Sequence, residues 1–599
     1  MSLQPQTPEN YEQHSSLLPL HSSKLPLPPP SSLTAHEKIR SSPVQSLWKS
    51  TLSSMRQQKV LPESDLNQIE SDIVYGVSLR LVSEPPSRDL PNTPAVVQHG
   101  PLVASRIEDY IKFGAVELID SDSSSSQTPP HGTQPLHVVL KAGKKPRLVI
   151  DLSRNLNELL PERHFSYSTV DDAVDLSSKN CWFGKLDLSN CFLTFPLHPN
   201  AVKYFYFRFR NNLYRFTGMP FGLRTAPLVC TLLLSVPAFL MKQKGCRFVR
   251  YLDDFLLIAD SYEQLQSHLE TAQQIFSSSG MIVNPEKTEG PVQIITFLGI
   301  EINSRQQTLT CPISRVQELK DILSAFTTKL VTSRKSLESL IGKLSFAAKV
   351  LPGARPFMRS MIDNLHHHKK RSLPIKLTSS FKQDVQFWLD NINNWNGKQI
   401  WRSTKNDPIV FASDASLEGF GFHLLSSPQH SPLNNLTHPL SVGSGFYGSY
   451  HPSHSHLHST HKQISFCEML AVLAAAITYS PFLNNQNVVF LVDNNTDVAI
   501  INKQSTKSDL LKQLLRQLFQ LSVKYNFNLC AQHIPGSKNV IADFLSRPTL
   551  HKNDPLTHFS TLAVLPSLSL CRYPTLSLSC LHVVYSVCSS KFLPLHYQI

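Results

Sequence analysis

Residues 247–259, RFVRYLDDFLLIA, decide how the rest of the chain is read. Two apolar runs flank Tyr251-Leu252-Asp253-Asp254, the pattern of a β-hairpin whose turn carries an acidic pair. Carboxylates held at a turn between apolar strands are costly unless cations neutralise them. A lone Asp-Asp is most often a turn dipeptide. Residues 182–190, WFGKLDLSN, supply what such a dipeptide lacks, a third carboxylate, Asp187, following another buried-looking strand. Two carboxylates at a turn with a third from another strand suit divalent cations.

Outward from this centre the text stays β-rich. HVVL (137–140) and PRLVIDL (146–152) read as two strands joined by a short Gly-containing turn, and KYFYFRF (203–209) and LYRFTG (213–218) as further strands. VQIITFLGIEI (292–302) is expected to continue the same sheet. Helices fill the gaps: SRIEDYIKFG (105–114), with Ser105 and Glu108 as a capping box and Gly114 as its stop, then 226–243 and 261–280, the last ending on Gly280.

Six segments then stand in one order: KPRLVIDLSRNLN (145–157), GKLDLSNCF (184–192), FTGMPFGLRTAP (216–227), YLDD (251–254), GMIVNPEKT (280–288) and FLGI (297–300). In that order, from about Ile107 to Gly299, they resemble reverse transcriptases. The resemblance implies that Asp187, Asp253 and Asp254 hold two Mg²⁺ ions, with Mn²⁺ as a substitute, and Asp187 and Asp253 as the more direct ligands. Such a pair activates a primer 3′-hydroxyl and stabilises departing pyrophosphate in line. It also implies that Lys145 and Arg147 approach the incoming triphosphate, although Lys141 and Lys144 compete with Lys145 for that place. Phe192 stands five residues after Asp187, where that family carries an aromatic gate against a ribose 2′-hydroxyl, which implies dNTPs rather than NTPs as substrate. Gly222 would let backbone approach the base pair, and Lys287 would protonate the leaving group. Viral RNA polymerases share the palm, but they favour Gly-Asp-Asp.

A second set of acids follows. Asp414 ends a strand in IVFASDAS (409–416), Glu468 lies in the helix SFCEMLAVLAAA (465–476), Asp493 ends a strand in VVFLVDNN (488–495), and Asp543 falls in HIPGSKNVIADFLSR (533–547). Singly each is more often a cap than a ligand. Together, in the order D-E-D-D, they resemble ribonuclease H, which hydrolyses the RNA strand of an RNA–DNA hybrid with two metal ions. His533 occupies that family's mobile-histidine position. An insertion-like stretch separates Asp414 from Glu468, and its five histidines between His451 and His461 read as a polar loop rather than a metal site. SRKSLESLIGKLSFAAKVLPGARPFMRSMI (333–362) looks like the linking segment of DIRS-type retrotransposons, which makes a separately encoded tyrosine recombinase a candidate partner.

Composition bounds the rest. In 599 residues, 57 Lys+Arg face 44 Asp+Glu for a formal charge of +13, which favours a polyanionic partner. Residues 301–400 alone hold 16 Lys+Arg against 7 Asp+Glu, a segment suited to the phosphates of a hybrid duplex. Ten Cys include no C-x-x-C pair, which excludes a zinc knuckle and fits a reducing compartment. No run of 18 uncharged apolar residues points to a membrane span, and MSLQPQTPEN is no secretory signal, so an intracellular protein of cytoplasm or nucleus is expected. The 42 Pro against 21 Gly suggest attached Pro/Ser-rich segments.

The expected fold class is α/β (α+β): right-hand polymerase fingers, palm and thumb followed by an RNase H-like α/β domain. Residues 1–95 are expected to be mostly disordered, with one short helical candidate near Trp48–Gln58, 96–300 to form fingers and palm, 301–405 a basic helical thumb and connection, 406–548 the RNase H-like domain, and 549–599 an unassigned tail. The expected function is RNA-directed DNA polymerase with RNase H, acting on an RNA template, a DNA primer, dNTPs and the RNA–DNA hybrid. The competing expectation is a decayed or host-adopted protein that binds nucleic acid without catalysis. Its mark would be a lost carboxylate, and all seven are present.

Overall fold

The computed structural model describes residues 33–547, apart from short internal stretches of which the longest are 120–128, 368–372, 401–406 and much of 429–463, and the strand Leu570–Arg572. The protein is a mixed α/β chain that divides into two compact units, Met1–Gln293 and Ile294–Ile599.

In the first unit, the Asp187 strand (Trp182–Asp187) lies in the middle of a four-stranded sheet. On one side it pairs antiparallel with Asp254–Ala259, which forms a hairpin with Arg247–Tyr251, and on the other with Glu289–Val292. The helix Tyr262–Ser278 covers this sheet; its buried Leu265, Leu269, Ala272 and Phe276 repeat at helical spacing. Residues 136–139 and 147–150 form the expected hairpin, and Val116–Ile119, Asn212–Phe216 and Tyr206–Phe209 a three-stranded sheet.

Four expectations need correction. Residues 33–95 are not without structure: helices Ala35–Ile39, Ser42–Gln57 and Glu63–Tyr75 stand there. Val44, Trp48, Leu52 and Met55 make an apolar stripe that joins the core of this unit, and Trp48 Nε1 donates to the Ser279 carbonyl at 3.1 Å. The helix expected to begin at Ser105 spans Gly100–Phe113, with Pro101 in its first turn, so Ser105 is inside it; Gly114 does end it, in the left-handed conformation at φ 86°. The segment 226–243 is two helices, Ala226–Leu233 and Ser235–Gln243; Pro237 lacks the amide hydrogen that would continue one ladder. Finally, Ile294–Phe297 and Ile300–Asn303 do not extend the Asp187 sheet. They open a separate sheet with Thr308–Thr310 in the second unit.

The second unit begins with that sheet and the helices Ile313–Thr328, Arg334–Ala347, Arg359–His367 and Ser379–Trp395. It continues into a six-stranded sheet of order 528–533, 487–492, 409–415, 419–426, 445–449 and 570–572. The strand Ile409–Ala415 pairs parallel with Asn487–Val492 and antiparallel with Gly419–Ser426. The helix Ile464–Tyr479 is buried almost all round against this sheet. By length and composition the stretches 226–243 and 464–482 could cross a membrane, but 61% and 78% of them is buried inside the protein, as in core helices.

Candidate active sites

The Asp187 centre is built by strand register. Asp187 stands opposite Asp254, and Tyr251 opposite Asp254 across the tight turn, where Leu252 adopts a left-handed φ of 54°. The Leu188 amide donates to the Asp253 carbonyl at 3.3 Å, fixing the turn against the Asp187 strand. Burial, then the Asp187 charge, pushes the Asp253 carboxyl up to about 6, and the same causes in the same order raise Asp254. Lys287 Nζ, on the 3₁₀ turn Pro285–Lys287, donates to Asp187 Oδ2 at 2.8 Å. The Asn284 amide anchors that turn on the Asp187 carbonyl at 2.7 Å. An ammonium thus stands where three carboxylates would welcome a cation, and an all-oxygen donor set fits Mg²⁺.

Arg147, Phe221 and Phe192 lie one against the next. The Arg147 guanidinium lies 4.6 Å from the Phe221 ring centroid, and the Phe221 ring lies 5.2 Å from that of Phe192. Phe192 is half-buried. The exposed Lys145 is described, while Lys141 and Lys144 fall outside the described residues. Gly222 makes its close approach to protein: at φ 110°, a Cβ there would collide with the Ile150 carbonyl oxygen. The Ile150 amide donates to the Phe221 carbonyl at 3.0 Å, and Asn157 Nδ2 to the Gly222 carbonyl at 2.9 Å. Gly222 is therefore demanded by the strand 147–150. Phe221 was missed in the sequence because an aromatic in a loop carries no spacing signal.

The second centre lies at the ends of parallel strands. Asp414, Glu468 and Asp493 each offer a carboxylate oxygen, all within 4.8 Å of one another, the one such trio among the described residues. Burial pushes the Asp414 carboxyl up to about 7, despite a bond with Ser546 and with added repulsion from Asp493 and Asp543. Glu468 is pushed up to about 10, by burial first and then by Asp414, Asp493 and Asp497. Its Oε2 has no hydrogen-bond partner among the described residues. An orphaned buried oxygen facing two more carboxylates fits a divalent cation. Asp543, on the short helix Val540–Leu545, is partly exposed and pairs with Arg547 at 2.6 Å. Asn539 Nδ2 ties the start of that helix to the Ser413 carbonyl at 2.9 Å. A Cβ on Gly421, opposite Asp414, would collide with Leu545, so the helix can lie this close only over glycine. His533 ends its strand exposed, in register with Val492, the residue before Asp493. The five histidines 451–461 lie outside the described residues.

In the basic segment, Arg334, Lys343 and Arg359 are engaged by Glu338, Glu318 and Asp363. Its charge is therefore partly spent within the fold.

An antiparallel sheet thus presents Asp187 beside an acidic hairpin turn. The family described as reverse transcriptase (RNA-dependent DNA polymerase) matches residues 139–302. Over 448 residues the chain is 23% identical to a putative enzymatic polyprotein of cassava vein mosaic virus, covering 74% of this chain and 64% of that one. Over 495 residues it is 23% identical to the enzymatic polyprotein of cauliflower mosaic virus (strain D/H), covering 82% and 68%. It thus spans about two thirds of the length of these relatives. Among solved structures it is similar to the foamy viral protease–reverse transcriptase in complex with dsDNA, at 16% identity and a TM-score of 0.48, over 89% of this chain and 98% of that one. The same viral protein with an RNA/DNA hybrid gives 16% and 0.47, over 82% and 63%.

Proposed function

We propose that the chain is an RNA-directed DNA polymerase of a retroelement with an attached RNase H, using dNTPs, an RNA template and a DNA primer. The observation that carries the polymerase reading is the register that sets Asp187 opposite Asp254 at the YLDD turn, inside a reverse transcriptase domain. At both centres, bound Mg²⁺ would supply the Lewis acidity that activates the attacking oxygen and stabilises the leaving one. The chain's own residues do the rest. Asp187, Asp253 and Asp254 hold the cations, and Lys287, displaced from Asp187, is free to turn to phosphate. Arg147 takes the triphosphate with its planar donors while Phe221 keeps the guanidinium flat. Phe192, braced by Phe221, occupies the space a 2′-hydroxyl would need.

The RNase H reading is supported by the Asp414–Glu468–Asp493 trio at parallel strand ends, where α/β sheets form their crevices. Asp543 enters from the helix over Gly421, and His533 stands exposed at the rim to assist water or product. Residues 333–362 favour a DIRS-type origin and hence a separately encoded tyrosine recombinase.

Primer extension on poly(rA)·oligo(dT) with dTTP or UTP tests this. Asp253→Asn should abolish dTTP incorporation while hybrid cleavage persists, and Asp493→Asn should do the reverse. Loss of both activities with either change, in folded protein, would refute the assignment of two centres. No incorporation by folded wild-type protein would favour a decayed, non-catalytic binder.

A further inference from the structure

Asp497 is a buried carboxylate that neither set of catalytic residues uses. It stands one turn beyond Asp493, third in the helix Asn495–Lys503, and is 0% exposed. Neither of its oxygens accepts a well-formed hydrogen bond among the described residues, and only the Ser465 hydroxyl favours its charged form. At this place in a helix an acid ordinarily accepts the N-cap amide. Here Asn494 supplies the cap by accepting from the Thr496 amide at 2.9 Å, and Asp497 completes no box.

Its surroundings point to the second centre. Asn494 Nδ2 donates to Ser465 Oγ at 3.0 Å, which joins the starts of two helices. Ser465 and Glu468 share one face of the first, at i and i+3; Asp493 and Asp497 are one turn apart at the start of the second. Asp497 is close enough to both Glu468 and Asp493 for their charges to act on one another. Glu468 Oε2 is also without a donor among the described residues. A packing role would be met by an apolar side chain, as at Ile500 and Ile501 of the same helix. A buried carboxylate with no more than one serine hydroxyl to favour its charge persists where a cation or a proton neutralises it.

We propose that Asp497 is a fifth carboxylate of the Asp414–Glu468–Asp493–Asp543 centre, a positioning residue that strengthens its hold on divalent cations from behind Asp493 and Glu468. The proposal rests on the RNase H-like reading of that centre. It requires no direct coordination by Asp497; its negative charge beside the two ligands suffices, acting from behind the ligands as in other metal sites.

The test uses the full chain with Asp187→Asn and Asp253→Asn to silence the palm centre, and Mn²⁺ as the probe. Free Mn²⁺ is followed by electron paramagnetic resonance, and thermal unfolding is recorded with and without Mn²⁺. Asp497→Asn should weaken Mn²⁺ binding about tenfold or more and shrink the Mn²⁺-induced rise in Tm. Without metal its Tm should rise, because a buried acid has become a neutral amide. Asp497→Ala should weaken binding equally, which separates lost charge from a poorly seated amide. Unchanged Mn²⁺ binding in both variants, with weakening in Asp493→Asn, would overturn the proposal and leave the centre standing. Mn²⁺ binding indifferent to Asp493→Asn would sink the reading of the centre itself, and the proposal with it.

Discussion

Removing Arg516 should expose how costly the carboxylate beneath it is. Arg516, on the helix Asp509–Lys524, donates to Asp384 Oδ1 and, at 3.3 Å, to Ser360 Oγ. Asp384 is 1% exposed on the helix Ser379–Trp395, and the Ser360 amide donates to its other oxygen at 3.2 Å. The guanidinium also lies 5.6 Å from the Phe357 ring centroid. Even with Arg516 present, burial pushes the Asp384 carboxyl up to about 6. Arg516→Met keeps the apolar stem and strands the acid. Breaking a buried pair this way costs about 3–5 kcal/mol at pH 7.5.

The sign with pH follows from linkage. A carboxyl raised in the folded state contributes stability below its unfolded pKa near 4, and loses it as pH rises through the folded value. Without Arg516 that folded value climbs further above 6, so the penalty keeps growing past neutrality. At pH 5 the acid is protonated for only about 1–2 kcal/mol, and the variant should recover most of its loss. Urea unfolding followed by circular dichroism at pH 5 and 7.5 reads both numbers. Adding Asp384→Asn should rescue Arg516→Met at pH 7.5 by a double-mutant cycle. A loss below about 1 kcal/mol at pH 7.5, as for a weak surface pair, or one that does not change with pH, would refute the buried ionic clasp.

Two further outcomes follow from the first unit. Trp48→Ala should cost about 3–5 kcal/mol by urea unfolding, because the ring is 0% exposed and its Nε1 holds the Ser279 carbonyl; a change within about 0.5 kcal/mol would mean that the N-terminal helices do not dock. Asp72 is buried, and burial pushes its carboxyl up to about 6, so its stabilising contribution is complete below about pH 4 and lost as pH rises through 6. Asp72→Asn should therefore gain up to about 3 kcal/mol at pH 8 and little at pH 4, and an equal effect at both would contradict a buried titrating acid.

Much of the palm was legible because its signals are local. Two apolar runs around Tyr251–Asp254 can only fold back on each other, and side chains alternating along WFGKLD put Asp187 at the end of a buried strand. The second set of acids was legible for the same reason: Asp414 and Asp493 close β-branched runs. The N-terminal helices were harder to read. The stripe Val44, Trp48, Leu52, Met55 is short and set among Pro/Ser-rich text, so composition outweighed period, although the partner that stabilises it lies over two hundred residues away at Ser279. The boundary at 293 was also hidden, because a strand's sequence does not say which sheet it joins.

The sequence by itself determined that there are two sets of carboxylates, which strands and helices bear them, and where the palm hairpin turns, since alternation, caps and turn residues act within a few residues of each other. Only the tertiary structure decided what those groups meet: Lys287 on Asp187, Arg147 on Phe221 on Phe192, Gly222 beneath the Ile150 carbonyl, Asp384 beneath Arg516, and Asp497 sealed behind Asp493. Apart from Asp497 and Asp493, four positions apart, such groups meet across tens to hundreds of positions. Whether a carboxylate is paired, protonated or waiting for a cation depends on how deeply those distant partners bury it.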